Sequence, residues 1–463
     1  MIAALAVIAA LTIARPDRAP GPSLRDFEAY YSAGATWMRG GDPYSTAIWK
    51  TERTLPGVNA SRYEFLPFVG PPVVLPLWSA FARLPYATAA NAWRAVLVLS
   101  IFALLWIALS LGGMQRSPFN VIALALAAIG FGAITNALAL GQIALPVAAA
   151  VALSYAATRF GGKALAAAAA FAQPNLALSL AGEFRRRNTA LALIAGIALF
   201  ALLCAGVSVD GVLAYALLLL AHGAAEQFSA IQLTPAAVAY GFGASGGTAI
   251  AIGAVAAGAA MLFWLRAMVK FDDRLTLFAI SCALVPFGSA FFHQHDLVIM
   301  FVPAAALVLR APASALPVVM AGALLCATNW VGIAQNPGAT LQTLLLTVAF
   351  ALALLALRGD FGFRALTAPF GVALVIVAAG ILAHAHVVPV WPDAMTPVSP
   401  NVAGLGAAAV WHAEQVATGL FARDAFWSLL RCASLAGCAL VAYAAWISSK
   451  SPEGSRTSAA VRG

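Results

Sequence analysis

The chain has 463 residues, of which 62% are hydrophobic and 9% charged, with a formal net charge of +9. A soluble domain carries roughly 25% charged residues, so this composition excludes a soluble enzyme. The basic residues lie in short loops between apolar runs, where they set the orientation of a membrane protein, so the net charge does not indicate nucleic-acid binding.

Apolar runs long enough for about 30 Å of hydrocarbon recur from end to end. They are continuous and rich in Ala and Leu, without the short alternating segments of a barrel. The fold class is therefore all-α: a single polytopic integral membrane domain over residues 1–463. No stretch is long and polar enough for a separate soluble domain. About twelve spanning helices are expected. Met1–Ala14 lacks a basic leader and reads as a first membrane helix rather than a signal peptide.

The first outer loop covers residues 15–64. Within it, Arg25-Asp26-Phe27-Glu28-Ala29-Tyr30-Tyr31 predicts a surface helix. Asp26, Tyr30 and Trp37, at i, i+4 and i+11, share one face of it, and Glu28 points elsewhere. Asp26 is then a general base beside a lipid-borne substrate, an N-cap, or the partner of Arg25. Asp42-Pro43-Tyr44-Ser45 reads as the turn that closes this helix. Phe65–Leu84 holds Pro67, Pro71, Pro72 and Pro76 and is expected not to span fully.

Asn136 and Gly141-Gln142 fall at the outer end of two helices joined by a tight turn. Their amides suit sugar hydroxyls or a helix cap. Gln173-Pro174-Asn175 interrupts the next apolar segment, so a broken or re-entrant helix is expected there, kinked or lining a cavity. The clusters Arg159–Lys163, Glu183–Arg187, Arg266–Arg274, Arg310 and Arg358–Arg364, and the tail 449–463, are placed in the cytoplasm. Loops 208–246 and 387–428 are placed outside.

In the first of these outer loops, His222 and Glu226 at i, i+4 of an amphipathic segment read as a solvated face, with contact to an acceptor at the membrane surface as the alternative. Phe291-Phe292-His293-Gln294-His295-Asp296 stands at a helix mouth on the Asp26 side. A helical i, i+2 histidine pair points to two faces, which argues against a metal site. One histidine with a nearby Arg suits a phosphate head group, and an interfacial polar cap is the alternative. His384, His386, His412, Glu414 and Trp391-Pro392-Asp393 fall in the last outer loop, with no chemistry assigned.

Cys204, Cys282, Cys326, Cys432 and Cys438 have no metal or redox spacing and read as small buried hydrophobes. There is no P-loop, no G-x-G-x-x-G in a βαβ context and no H-E-x-x-H, so neither an ATP site nor a nucleotide-sugar site of the soluble kind is expected. No cofactor or metal is expected. No two-fold repeat is visible, which counts against the common transporter folds.

The run Asp26-Phe27-x-x-Tyr30 with Gly41-Asp42-Pro43-Tyr44 resembles the first outer loop of the glycosyltransferase family 87 proteins. These are polyprenyl-phosphate-mannose-dependent mannosyltransferases of the GT-C superfamily. The likeness continues through Phe68-Val69-Gly70-Pro71-Pro72, Pro76-Leu77, Leu84-Pro85, Gly141-Gln142, the Pro174 break, Arg185-Arg186-Arg187 and His293–Asp296. It covers most of residues 24–310, and the C-terminal third is similar only in hydropathy. The chain departs from the family at Gln173, where Lys is common, and lacks the Ser-Pro and Trp that accompany the later histidine region.

The resemblance implies a GT-C-type helical bundle with interfacial helices in its outer loops. It implies transfer of a sugar, mannose first, from a polyprenyl-phosphate donor to a glycolipid or cell-envelope glycan. The active site would face outward from a bacterial inner membrane. Asp26 matches the catalytic carboxylate, and His293 or His295, with Arg25, would bind the donor phosphate. Tyr30, Tyr44, Gln142 and Asp296 are the expected substrate contacts. The rival readings are a lipid-linked sugar transporter, which would carry ionisable residues mid-helix, and a non-catalytic scaffold.

Overall fold

The computed structural model describes residues 24–55, 64–386, 404 and 406–448. The apolar segment Met1–Ala14, the Trp391-Pro392-Asp393 loop and the tail 449–463 lie outside the described residues. Regular structure among the described residues is helical, apart from an isolated antiparallel bridge between Gln232 and His293.

The longer helices follow in chain order. The first seven are α1 (Arg25–Met38), α2 (Leu75–Ala82), α3 (Tyr86–Leu111), α4 (Pro118–Gly130), α5 (Gly132–Leu140), α6 (Ala144–Ala156) and α7 (Phe160–Ala170). Next come α8 (Arg187–Val207), α9 (Val209–Glu226), α10 (Gly246–Lys270), α11 (Arg274–Gly288) and α12 (Phe301–Arg310). The chain ends with α13 (Leu316–Ala327), α14 (Thr340–Arg358), α15 (Phe363–Ala383), α16 (Ala407–Ala417) and α17 (Ala425–Ser448). Local chemistry sets several starts. Ser117, Ser208, Ser245 and Asp273 each accept the backbone N–H three residues on, and each such cap is worth about 1 kcal/mol.

Seven described helices are long and apolar enough to cross a membrane: α3, α8, α9, α10, α14 with the turn before it, α15 and α17. The count is eight if α4 and α5, bent by 73°, form one broken span. Four further apolar helices of 10–17 residues include α6, α11 and α13. At about 1.5 Å per residue these fall short of about 30 Å of hydrocarbon. Length and composition thus support seven or eight crossings, and the expected twelve would need the short helices to cross as well.

The α4–α5 bend depends on glycine. A Cβ on Gly130 would lie 2.5 Å from the Leu346 carbonyl oxygen and 2.8 Å from the Phe350 nitrogen. Only a residue without one lets α14 lie directly on the bend. The proline-rich segment does not form a spanning helix. Residues 64–71 have no regular secondary structure, Pro72–Val74 make a 3-10 turn, and Pro76 sits in the first turn of α2, where its missing N–H is no loss.

The inner face of α1 is aromatic. Phe27 stacks on Trp93 with centroids 5.9 Å apart and meets Phe81 edge-on at 5.8 Å. Tyr30 stacks on Trp78 at 4.8 Å. Glu28, expected to point away from Asp26, is fully buried and accepts from the Tyr86 hydroxyl at 3.3 Å.

Two buried acids hold the start of this segment. The Phe65 N–H donates to Glu414 Oε1 at 2.8 Å and the Leu66 N–H to Glu52 Oε2 at 3.3 Å. Glu414 is therefore a buried anchor on α16 and not an exposed loop residue. Burial pushes its carboxyl from 4.5 up to about 9, with only partial relief from the Phe65 N–H. This folded-state value lies above the unfolded one. Its stabilisation is therefore full below pH 4.5 and fades as pH rises towards about 9. The melting temperature of wild type is expected to fall more steeply over that window than that of Glu414→Gln, which keeps the acceptor oxygen. Parallel slopes in a pH series of thermal melts would refute this.

Candidate active site

Asp26 projects from the first turn of α1 into a cavity of about 560 Å3, within the usual range for small-molecule sites. It is not the N-cap, because Leu24 holds that position in a left-handed conformation at φ 73°. That conformation is uncommon for a branched side chain and persists only where the surroundings hold it. Here the Leu24 N–H reaches the Ala139 carbonyl at 2.7 Å and ties the start of α1 to the end of α5.

The same joint delivers Gln142. Gly141 ends α5 at φ 76°, and Trp93 Nε1 donates to its carbonyl at 2.7 Å. A Cβ there would meet Phe27 Cβ at 3.0 Å and Leu24 Cβ at 3.1 Å. The next residue turns back, so that Gln142 Nε2 donates to Asp26 Oδ2 and Gln142 Oε1 accepts from the Tyr30 hydroxyl at 2.9 Å. Burial, then the Asp26 charge, pushes the Tyr30 phenol well above 10.0, so it serves as a neutral donor. Asp26 Oδ1 has no hydrogen-bond partner among the described residues and is open to a substrate. Gly141→Ala is expected to lose about 1–2 kcal/mol from the positive φ alone. It should also slow turnover by displacing Gln142, as thermal melts and rate measurements on one preparation would show.

The opposite wall comes from the segment after α11. His293 is extended, and a 3-10 turn over Gln294–Met300 follows. Asp296 orders this segment, accepting from the His293 N–H at 2.9 Å, Gln173 Nε2 at 2.7 Å and Asn175 Nδ2 at 3.1 Å. The Gln173-Pro174-Asn175 break therefore does two things: it ends the helical segment and supplies side chains to both the cavity wall and Asp296. The expectation that His293 and His295 diverge rested on α-helical geometry. In the 3-10 turn their rings lie 5.2 Å apart, and ligand atoms of His293, His295 and Asp296 fall within 4.8 Å of one another. These three could hold a metal ion, although the Asp296 carboxylate already takes three hydrogen bonds.

His222 and Glu226 overturn the solvated-face expectation. Both are buried, at 4% and 1% exposure, and both line the cavity from the last turns of α9. Glu226 Oε2 accepts from Gln232 Nε2 at 2.6 Å and lies 3.2 Å from His293 Nε2. Its Oε1 accepts from Trp411 Nε1 and from Gln415 Nε2 at 3.4 Å. Burial works against a proton on His293, but Glu226, Asp296 and Asp26 outweigh it and raise the imidazole above 6.5. For His295 burial prevails, and its affinity for the proton falls.

Residues 68–292 match the family model of Glycosyltransferase family 87. The match indicates a glycosyltransferase. It takes in Gln142, Gln173, Asn175, His222 and Glu226, starts after Asp26 and stops one residue before His293. No curated protein and no solved structure matches the chain.

The expected site residues do not all gather. Arg25, Asp26, Tyr30, Gln142, His293 and His295 line the cavity, and Tyr44, Asp296 and Trp37 do not. Tyr44 is buried against Phe68, and its hydroxyl is spent on the Gly70 carbonyl at 3.1 Å. Asp296 is fully buried behind the wall it orders. The Arg25 guanidinium pairs with the fully buried carboxylate of Glu64. His412 contacts the Ala225 carbonyl at 2.9 Å, and His384 that of Gly380 at 2.8 Å. Four of the five cysteines are buried as expected, and Cys432 is half-buried.

Proposed function

We propose that the protein is an inverting membrane glycosyltransferase that takes a sugar, mannose first, from a polyprenyl-phosphate donor to a hydroxyl of a glycolipid or cell-envelope glycan. The reaction is assigned to the extracytoplasmic face of a bacterial inner membrane. The observation that carries this reading is a single cavity with an open carboxylate oxygen of Asp26 on one wall and the His293 imidazole on the other. Asp26 takes the proton of the acceptor hydroxyl as its oxygen attacks the anomeric carbon. The bond from that carbon to the phosphate oxygen breaks, and the polyprenyl phosphate leaves with the electron pair. His293 faces the charge that builds on the departing phosphate, in surroundings where water is scarce and such contacts are strong. Gln142 and Tyr30 hold the base in line.

The test is transfer of radiolabel from polyprenyl-phosphate mannose to a membrane-lipid extract by purified protein in nanodiscs. Labelled product that depends on the protein and on the phosphate-linked donor is expected. Absence of transfer from any polyprenyl-phosphate hexose would sink the reading.

A further inference from the structure

A sugar carried into the cavity needs acceptors for its hydroxyls, and the walls hold six amide side chains: Asn136, Gln142, Gln173, Asn175, Gln294 and Gln335. Gln142 has both ends committed, to Asp26 and to Tyr30. Gln173 donates to Asp296 Oδ1 at 2.7 Å and Gln294 to the Thr328 carbonyl at 3.1 Å, and the amide oxygens of both are buried without a partner. Asn136 and Gln335 are held by no side-chain hydrogen bond among the described residues. Asn175 differs from the other five in being both held and open.

Both protons of the Asn175 amide are committed. Nδ2 donates to the Phe291 carbonyl at 3.2 Å and to Asp296 Oδ2 at 3.1 Å. A carbonyl and a carboxylate only accept, so turning the amide over would set its oxygen against two others. Pro174, at the first position of the short helix Pro174–Ala177, fixes the backbone beneath it. Oδ1 is thereby locked as the end that these bonds leave over. It has no hydrogen-bond partner among the described residues, and unlike the Gln173 and Gln294 oxygens it is not closed off. Donation to a carboxylate polarises the amide and makes Oδ1 a stronger acceptor.

The His293 N–H donates to the same Asp296 Oδ2, at 2.9 Å. Two donors to one oxygen, at 2.9 Å and 3.1 Å, are at most about 6 Å apart, so Asn175 stands beside His293 on one wall. An amide oxygen suits a hydroxyl donor and repels a phosphate oxygen. Where the donor phosphate lies at His293, the sugar joined to it is the nearest source of hydroxyls. We propose that Asn175 is a specificity-determining residue for the donor sugar: its Oδ1 accepts one hydroxyl of the hexose carried by polyprenyl phosphate. This rests on the glycosyltransferase reading for its ligand and goes beyond it in assigning the residue that reads the sugar.

The experiment measures binding of polyprenyl-phosphate mannose to the full-length protein in nanodiscs. The series of donors that each lack one sugar hydroxyl and bare polyprenyl phosphate are measured beside it, with transfer followed in parallel. In wild type, one member of the series should bind about 10- to 100-fold more weakly than the complete donor, because it leaves Oδ1 unpaired. Asn175→Ala should bind the complete donor more weakly by a similar factor and should no longer distinguish it from that member. The two losses share one contact, so they should not multiply when variant and deoxy donor are combined.

Asn175 also helps to order Asp296, and disorder of the wall would weaken every donor and bare polyprenyl phosphate alike. Such a uniform loss would overturn the assignment. So would a wild-type series with no sensitive hydroxyl, or a penalty that survives in Asn175→Ala. If Asn175→Ala does not fold, Asn175→Ser takes its place under the same criteria. Its hydroxyl can donate towards Asp296 but puts no acceptor where Oδ1 stood. Selective binding without transfer would leave the assignment intact and remove the transferase reading. Transfer by wild type at one rate from every member of the series would do the reverse, and failure to bind any hexose donor would remove both.

Discussion

Asp26→Asn is expected to lower the transfer rate by about 10²- to 10⁴-fold, the contribution of a positioned general base. The prediction is sharp because the substitution keeps the geometry. Asparagine can still accept from Gln142 Nε2 through its amide oxygen, so the chain from Tyr30 through Gln142 stays whole. Only the proton acceptor at the open Oδ1 position is lost. Gln142→Leu removes the orienting bond and leaves the base in place, so it should slow transfer less than Asp26→Asn does. Rates measured at saturating donor separate the two effects: loss of the base lowers turnover itself, and loss of binding raises KM. Equal turnover by wild type and Asp26→Asn would take Asp26 out of the mechanism.

What could be read from the sequence depended on whether the signal was local. Apolar runs report hydrocarbon-compatible helices because hydropathy is a property of each segment. A helix at Asp26, the failure of Phe65–Leu84 to form one long helix and the break at Gln173-Pro174-Asn175 all follow from spacing or from proline, and the structure has each of them, although the Asp26 helix is largely buried rather than on the surface. Crossing number was harder, since α6, α11 and α13 are apolar and short, and hydropathy alone does not distinguish a crossing from a buried half-helix.

Glu226 was misread because an i, i+4 His/Glu pair looks the same on a wet face and in a buried one. Its partners Gln232, His293, Trp411 and Gln415 reach it from as far as 189 positions away, a distance over which no periodicity carries information. Tyr44 shows a different limit. It sits in a motif that resembles a family's outer loop, yet its hydroxyl is used internally. Motif membership placed the residue near the site without saying which way its side chain would turn. Asp296 is similar: it is fully buried, takes donors from Gln173 and Asn175, and is not part of the cavity lining.

Lys163→Ala is expected to cost about 3–5 kcal/mol of stability, the usual consequence of removing one partner of a buried ion pair. Charge counting placed Lys163 and Glu183 among cytoplasmic loop residues, but both are buried at 4% exposure. Lys163 Nζ lies 3.1 Å and 3.2 Å from the two Glu183 oxygens and also donates to the Ser154 carbonyl. The pair thus joins α7 to the 3-10 turn Leu178–Arg185 and to α6, clamping both flanks of the break that carries Gln173 and Asn175. Thermal melts of purified protein should show a large drop for Lys163→Ala. The double variant Lys163→Met/Glu183→Leu should recover most of it, because an apolar pair leaves no buried charge uncompensated. Recovery should fall short by about 1 kcal/mol for the donor lost at Ser154. A melting temperature unchanged by Lys163→Ala would mean the pair carries no stability. If the drop is found, donor affinity in the still-folded single variant should fall with it. The flanks of the break would then be free to shift Gln173 and Asn175 away from Asp296, and His293 would lose the group that orders its backbone.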